Sequence, residues 1–185
     1  RRFACLVRVL LASVLVAPGA QAADSELFLS DPDASATRAN VLFLIDTSGS
    51  MYNFSWQSML RKVSEVLDVY PRLQGFQVMN DQGRYMFGGT PGRWLSDSND
   101  TRNRIRDTLG NWQPYSQSNP VPGIEQALRA HRIPGARISI YVIGDEFTGE
   151  SIQSAVDSID RLNARSPDKP RARIHAIGFP EGAGM

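Results

Sequence analysis

The stretch NVLFLIDTSGSMYN, residues 40–53, decides how this chain is read. Residues 41–45 form an unbroken apolar run. A strand with one wet face alternates apolar and polar residues. A continuous run marks a strand covered on both faces, as in a parallel sheet. The run ends in Asp46, and Thr47, Ser48, Gly49 and Ser50 follow at once. A buried strand that empties into oxygen-bearing side chains predicts a ligand site, because open α/β sheets bind beyond the carboxyl ends of their strands.

Outward from that stretch the period changes. Met59, Leu60, Val63, Val66, Leu67 and Tyr70 recur at three and four, which predicts a helix over 54–70 that Pro71 stops. A second strand is expected over 75–80. NDQG, residues 80–83, reads as a turn that returns 84–87 as an antiparallel neighbour. Residues 88–94 read as loop. A helix follows over 96–109, with Asp97 or Ser98 as its cap. Residues 110–123 form a long loop rich in turn residues, and 124–131 a short helix. RISIYVI, residues 137–143, is another buried strand and runs into GDEFTGES. Ile152, Ala155, Val156, Ile159 and Leu162 mark one face of a helix over 151–164, and 172–179 is a further strand. Strands alternating with helices predict an α/β fold. Its sheet would be mostly parallel with one antiparallel edge strand, and helices would cover both faces. An open α/β domain adds a covering helix after its last strand, so 40–185 reads as a domain cut short at its C-terminus.

The 185 residues suffice for one ordinary domain, and 42% apolar content fits a real core. Residues 1–22 read as a secretory signal: Arg1 and Arg2, a short apolar run over 9–17, Pro18-Gly19, and Ala20-Gln21-Ala22 as the cleavage site. The apolar run is too short to cross a bilayer, which takes roughly 20 residues. The chain lacks an initiator Met, so its true start is expected to lie upstream. Residues 23–39 are polar and acidic and read as a flexible lead-in. Cleavage removes Arg1, Arg2 and Arg8 from 20 basic residues and leaves 17 against 19 acidic ones, a net charge of about −2. No dense basic face remains for nucleic acid. Cys5 leaves with the signal, so the mature chain offers no disulfide, thiol nucleophile or cysteine metal site. The mature protein is expected in the periplasm or outside the cell, without a membrane span.

Two strand ends carry unusual chemistry: Asp46-Thr47-Ser48-Gly49-Ser50 and Gly144-Asp145-Glu146. If the strands are neighbours, Asp46 and Asp145 share one crevice. Paired carboxylates repel unless a proton or a cation intervenes. Hydroxyls and carboxylates are hard ligands that suit magnesium, calcium or manganese.

DTSGS resembles the Asp-x-Ser-x-Ser signature of von Willebrand factor type A domains. The flanking strand, the amphipathic helix and the strand ending in Asp145 are similar to that family over residues 40–179. The resemblance implies a three-layer Rossmann-like fold and a metal-ion-dependent adhesion site. Ser48 and Ser50 would ligate the cation through their hydroxyls, and Asp46 and Asp145 would hold it mainly through water. The family's middle-loop threonine is missing from YSQSNPVPG; Ser118 is the best match and Ser116 the fallback. Gly144-Asp145-Glu146 also departs from the family's usual Thr-Asp-Gly, and Glu146 is expected to face solvent or a basic neighbour. Magnesium fits best, with manganese or calcium as substitutes. The implied role is a binding module, not an enzyme, that engages the carboxylate of another protein through the cation.

Blander readings stand beside this one. Asp46 alone could cap a helix. His131 and His175 lack ligand-spaced partners and read as structural or surface residues. Trp56, Trp94 and Trp112 read as packing residues, although Trp94 and Trp112 could rim a partner surface. Arg102, Arg104 and Arg106 read as a solvated helix face. A metal-dependent hydrolase and a structural module with an empty site are the rival functions. No Gly-x-Ser-x-Gly elbow or phosphate loop is present, and Ser48 stands where an aspartyl phosphatase needs its second carboxylate.

Overall fold

The computed structural model describes residues 39–131, 137–149, 151–166 and 169–179. The expected signal segment, all of the lead-in but Ala39, and residues 180–185 lie outside the described residues. The elements run β1 (Ala39–Ile45), α1 (Trp56–Val69), β2 (Gly75–Asn80), α2 (Asn99–Leu109), α3 (Val121–Ala130), β3 (Arg137–Gly144), α4 (Ile152–Asn163), β4 (Ala164–Ser166), β5 (Lys169–Pro170) and β6 (Arg173–Gly178). Four strands make one parallel sheet in the order β2-β1-β3-β6.

Side chains leave β1 alternately. Val41, Phe43 and Ile45 join Met59, Val63, Val66 and Leu67 of α1 and Ile105 and Leu109 of α2 in one core. Leu42 and Leu44 join Ile124, Ala127 and Leu128 of α3 and Ile159 of α4 in a second core. Helices therefore cover both faces, and the unbroken apolar run of β1 is explained: every residue in it is buried. From β1 the chain crosses by α1 to β2; from β3 it crosses by α4 in the opposite direction to β6. The two helices fall on opposite faces, as crossovers of one hand require. The gap between the carboxyl ends of β1 and β3 is thus the point where the strand order reverses, and a crevice opens at such points.

Several elements differ from expectation. The helix after β1 begins early: a π-helical stretch, Met51–Ser55, precedes α1. Its wider spacing hides it from a search at period 3.6. Tyr70 is already extended, because Pro71 disfavours a helical residue before it. The antiparallel edge strand is not formed. Residues 84–95 pair with β2 at two isolated bridges, Met79 with Tyr85 and Phe76 with Leu95, without forming a strand. Between them the segment bows away, and the Gln77 amide donates to the Arg93 carbonyl at 2.7 Å. α3 starts at Val121, since Pro120 and Pro122 suit a helix's first turn, where no N–H partner is needed. β6 lies at the sheet edge and is mostly half-exposed or exposed rather than buried. β4 and β5 form a short antiparallel pair that the sequence patterning did not anticipate.

Of the three arginines read as a solvated face, Arg104 is exposed, whereas Arg102 is tied down and Arg106 is half-buried. Arg102 donates to Asp97 at 2.6 and 2.8 Å and to the carbonyl of Tyr70 at 2.8 Å. That bonding holds the Asp97 carboxyl below the usual carboxylate range. Arg106 pairs with Asp68 at 2.9 Å, and the Arg104 guanidinium lies 4.2 Å from the centre of the Phe87 ring. Ser98, not Asp97, caps α2 by accepting from the Thr101 N–H.

Candidate metal centre

Three strand ends are laced side by side. The Asp46 N–H donates to the Ile143 carbonyl at 2.8 Å, and the Asp81 N–H donates to the Ile45 carbonyl at 3.0 Å. Register pairs Ile45 with Ile143 and with Asn80, so Asp46, Asp81 and Asp145 all leave the sheet at one end. Asp46 crowds β3: a Cβ on Gly144 would stand 3.1 Å from its Cβ and 3.3 Å from Oδ2. Glycine at 144 lets this carboxylate lie against the neighbouring strand without crowding.

The first loop then turns back. The Ser48 N–H donates to Asp46 Oδ1 at 2.8 Å, and the hydroxyls of Ser48 and Ser50 stand 3.0 Å apart. The middle loop closes over them. The Ser116 hydroxyl lies 3.4 Å from Asp46 Oδ1 and accepts the Thr47 N–H at 3.1 Å. Ser118 is buried in a left-handed conformation at φ 53, and its carbonyl accepts the Thr148 N–H at 3.1 Å. The Thr148 hydroxyl donates to the Gln117 carbonyl. Of the two middle-loop serines, Ser116 is the one whose hydroxyl meets Asp46. Glu146 is exposed, as one of its two expected placements required.

Asp46 is 4% exposed, and its Oδ2 has no hydrogen-bond partner among the described residues. Asp145 Oδ1 and Asp81 Oδ1 are buried and unpartnered in the same way. Burial raises the Asp46 carboxyl to about 6, against the lowering effect of its bonds to Ser48, and the charges of Asp81 and Asp145 push it up further. Buried carboxylate oxygens without donors call for a proton or a cation. The oxygen set of Asp46, Asp145, Ser48, Ser50 and Ser116 fits a hard cation. Among the described residues no group of three His, Cys, Asp or Glu side chains stands close enough to hold a metal by itself. A cation here would therefore draw on hydroxyls and water as well as carboxylates.

Tyr52 roofs one side. Its hydroxyl donates to the Trp112 carbonyl at 2.7 Å, and its ring lies 4.2 Å from that of Trp56 and 5.7 Å from that of Tyr115. Burial raises the Tyr52 phenol, and Tyr115, Asp46 and Asp81 add to the shift. Tyr115 itself is exposed at a positive φ of 46. Trp94 sits at the other end, against the start of β2, where it meets His131 edge-on at 4.7 Å. His131 is buried and bonded through Nε2 to the Tyr85 hydroxyl at 2.9 Å, and His175 stacks on Tyr141; both lie away from the centre.

Sequence reading missed Asp81, which it absorbed into the turn after β2. The signal was weak: Asp81 follows the polar Asn80 of GFQVMN rather than an unbroken apolar run, and NDQG also satisfies a turn. A comparison of the chain with protein-family models and with curated proteins finds no match.

Proposed function

We propose that the chain is a von Willebrand factor type A-like binding module with a metal-ion-dependent adhesion site. In this reading Ser48 and Ser50 ligate a divalent cation, magnesium before manganese or calcium. Asp46 and Asp145 hold it through water, and Ser116 or Ser118 supplies the middle-loop oxygen. The single observation that carries the reading is the pair of buried, unpartnered carboxylate oxygens, Asp46 Oδ2 and Asp145 Oδ1, beside the hydroxyls of Ser48 and Ser50 at the strand-order reversal. A bound cation supplies an open coordination position that accepts the carboxylate of a partner protein. The chain's own loops orient the hydroxyls and exclude competing donors. The fold assignment to this family, its export to the periplasm or beyond, and its non-enzymatic role belong to the same proposal.

Calorimetric titration with magnesium or manganese chloride tests it. The wild type is expected to bind one equivalent, and Asp46→Ala to lose that binding. Ser48→Ala with Ser50→Ala should keep the circular dichroism spectrum while losing the cation. Unaltered affinity in Asp46→Ala would sink the site as drawn, and an unfolded double mutant would make the loop structural.

A further inference from the structure

Asp81 is only 1% exposed, yet it carries an acidic side chain. Its Oδ2 accepts the Asn119 N–H at 3.1 Å and the Gln82 amide at 3.3 Å, while Oδ1 has no partner among the described residues. The backbone leaves it no latitude. Its N–H is bound to Ile45, and its carbonyl accepts the Gly123 N–H at 2.9 Å. A Cβ on Gly123 would come within 2.6 Å of that same carbonyl.

Asp81 and Asp46 face common surroundings. The Asp81 N–H is bound to the carbonyl of Ile45, the residue directly before Asp46, so the two acids leave adjacent strand ends. The bond from Asn119 also makes Asp81 the anchor of the middle loop that carries Ser116 and Ser118. The ion pairs among the described residues are Lys62 with Glu65, Arg102 with Asp97, Arg106 with Asp68 and Arg129 with Glu125, and none of them includes Asp81. No cationic side chain among the bonds described reaches this carboxylate to balance it.

We infer that Asp81 is a third acidic member of the cation seat, a positioning residue that strengthens divalent-ion binding from outside the ligand shell by its charge and by fixing the 116–119 loop. The inference rests on the proposed cation site and adds a residue that the Asp-x-Ser-x-Ser pattern does not contain. Three adjacent strand ends, rather than two, then contribute negative charge. Carboxylates that act behind the ligands of a metal are worth about ten- to a hundredfold in affinity.

The test compares wild type, Asp81→Asn and Asp46→Asn by manganese titration calorimetry and by thermal unfolding with and without manganese. Asparagine keeps the acceptor for the Asn119 N–H and removes the charge. The expected result for Asp81→Asn is manganese affinity lowered about ten- to a hundredfold, a metal-free melting temperature above that of wild type, and a smaller rise on adding manganese. A purely structural Asp81 would leave affinity and the manganese-induced rise at wild-type values. A protonated Asp81 would give the same result, since asparagine mimics the neutral acid. Either outcome, with Asp46→Asn still losing the ion, overturns the inference and spares the site. Failure of the wild type itself to bind manganese overturns both.

Discussion

Asp46 and His131 are buried titratable groups with opposite effects on stability. The His131 imidazole is lowered from 6.5 to about 4 by burial. Between those values the unfolded chain binds a proton that the folded chain refuses, so His131 stability is present above pH 6.5 and is lost as pH falls toward 4. The full difference is about 3 kcal/mol. Asp46 is raised from 3.8 to about 6 by burial, so the metal-free fold holds its proton more tightly than the unfolded chain does. Its penalty therefore grows as pH rises from about 4 to 6. The two slopes oppose each other across nearly one window. Urea unfolding of the metal-free wild type should vary little between pH 4 and 6.5, whereas Asp46→Asn should gain up to about 3 kcal/mol over that range. A flat profile in the variant would refute the His131 account. At this scale Asp46, Ser48 and Asp145 were legible because each stands in a motif or directly after an apolar run. Asp81 was not, because NDQG also satisfies a turn. Ser116 and Ser118 could not be ranked, because which hydroxyl meets Asp46 depends on a loop with two non-glycine residues at positive φ, Tyr115 and Ser118.

Elements were read well where one period ran long enough. β1, β2, β3 and α1 carry seven, six, eight and fourteen residues, and each follows its own repeat. The misreadings fall where a local device overrides the repeat: the π-helical entry to α1, the prolines that start α3, and the bowed segment after Gly83. α3 also shows how an element can be set by one contact. Its first turn packs so closely on the end of β2 that Gly123 has no room for a side chain. Gly123→Ala should force the helix away from Asp81 and destabilise the fold by about 1–3 kcal/mol. Urea unfolding measures this, and an unchanged midpoint would show that the helix can slide at no cost.

At the scale of the whole molecule, the two ends of the sheet do different work. At one end Arg102 ties α2 to the end of α1 through Asp97 and the Tyr70 carbonyl, with its side chain 12% exposed. At the other end the loops carry the candidate centre. Arg102→Ala leaves the Asp97 carboxylate and a main-chain acceptor without their donor and should cost about 3 kcal/mol. Manganese affinity of the still-folded variant should stay at the wild-type value, because no bond described joins Arg102 to the strand ends. A parallel fall in affinity would show that the ends are coupled. The architecture itself was legible because two buried strands and an amphipathic helix between them admit few arrangements. The strand order was not, since nothing in the local pattern says which strand lies beside which.

The loops around Asp46 are stitched largely by peptide groups: Ser116 N–H to the Thr47 carbonyl, and Thr148 N–H to the Ser118 carbonyl. Main-chain stitching does not depend on which side chains the loops display. An exposed position such as Glu146 can thus be exchanged without unpicking the seam, and the fold of these loops outlasts changes in what they display.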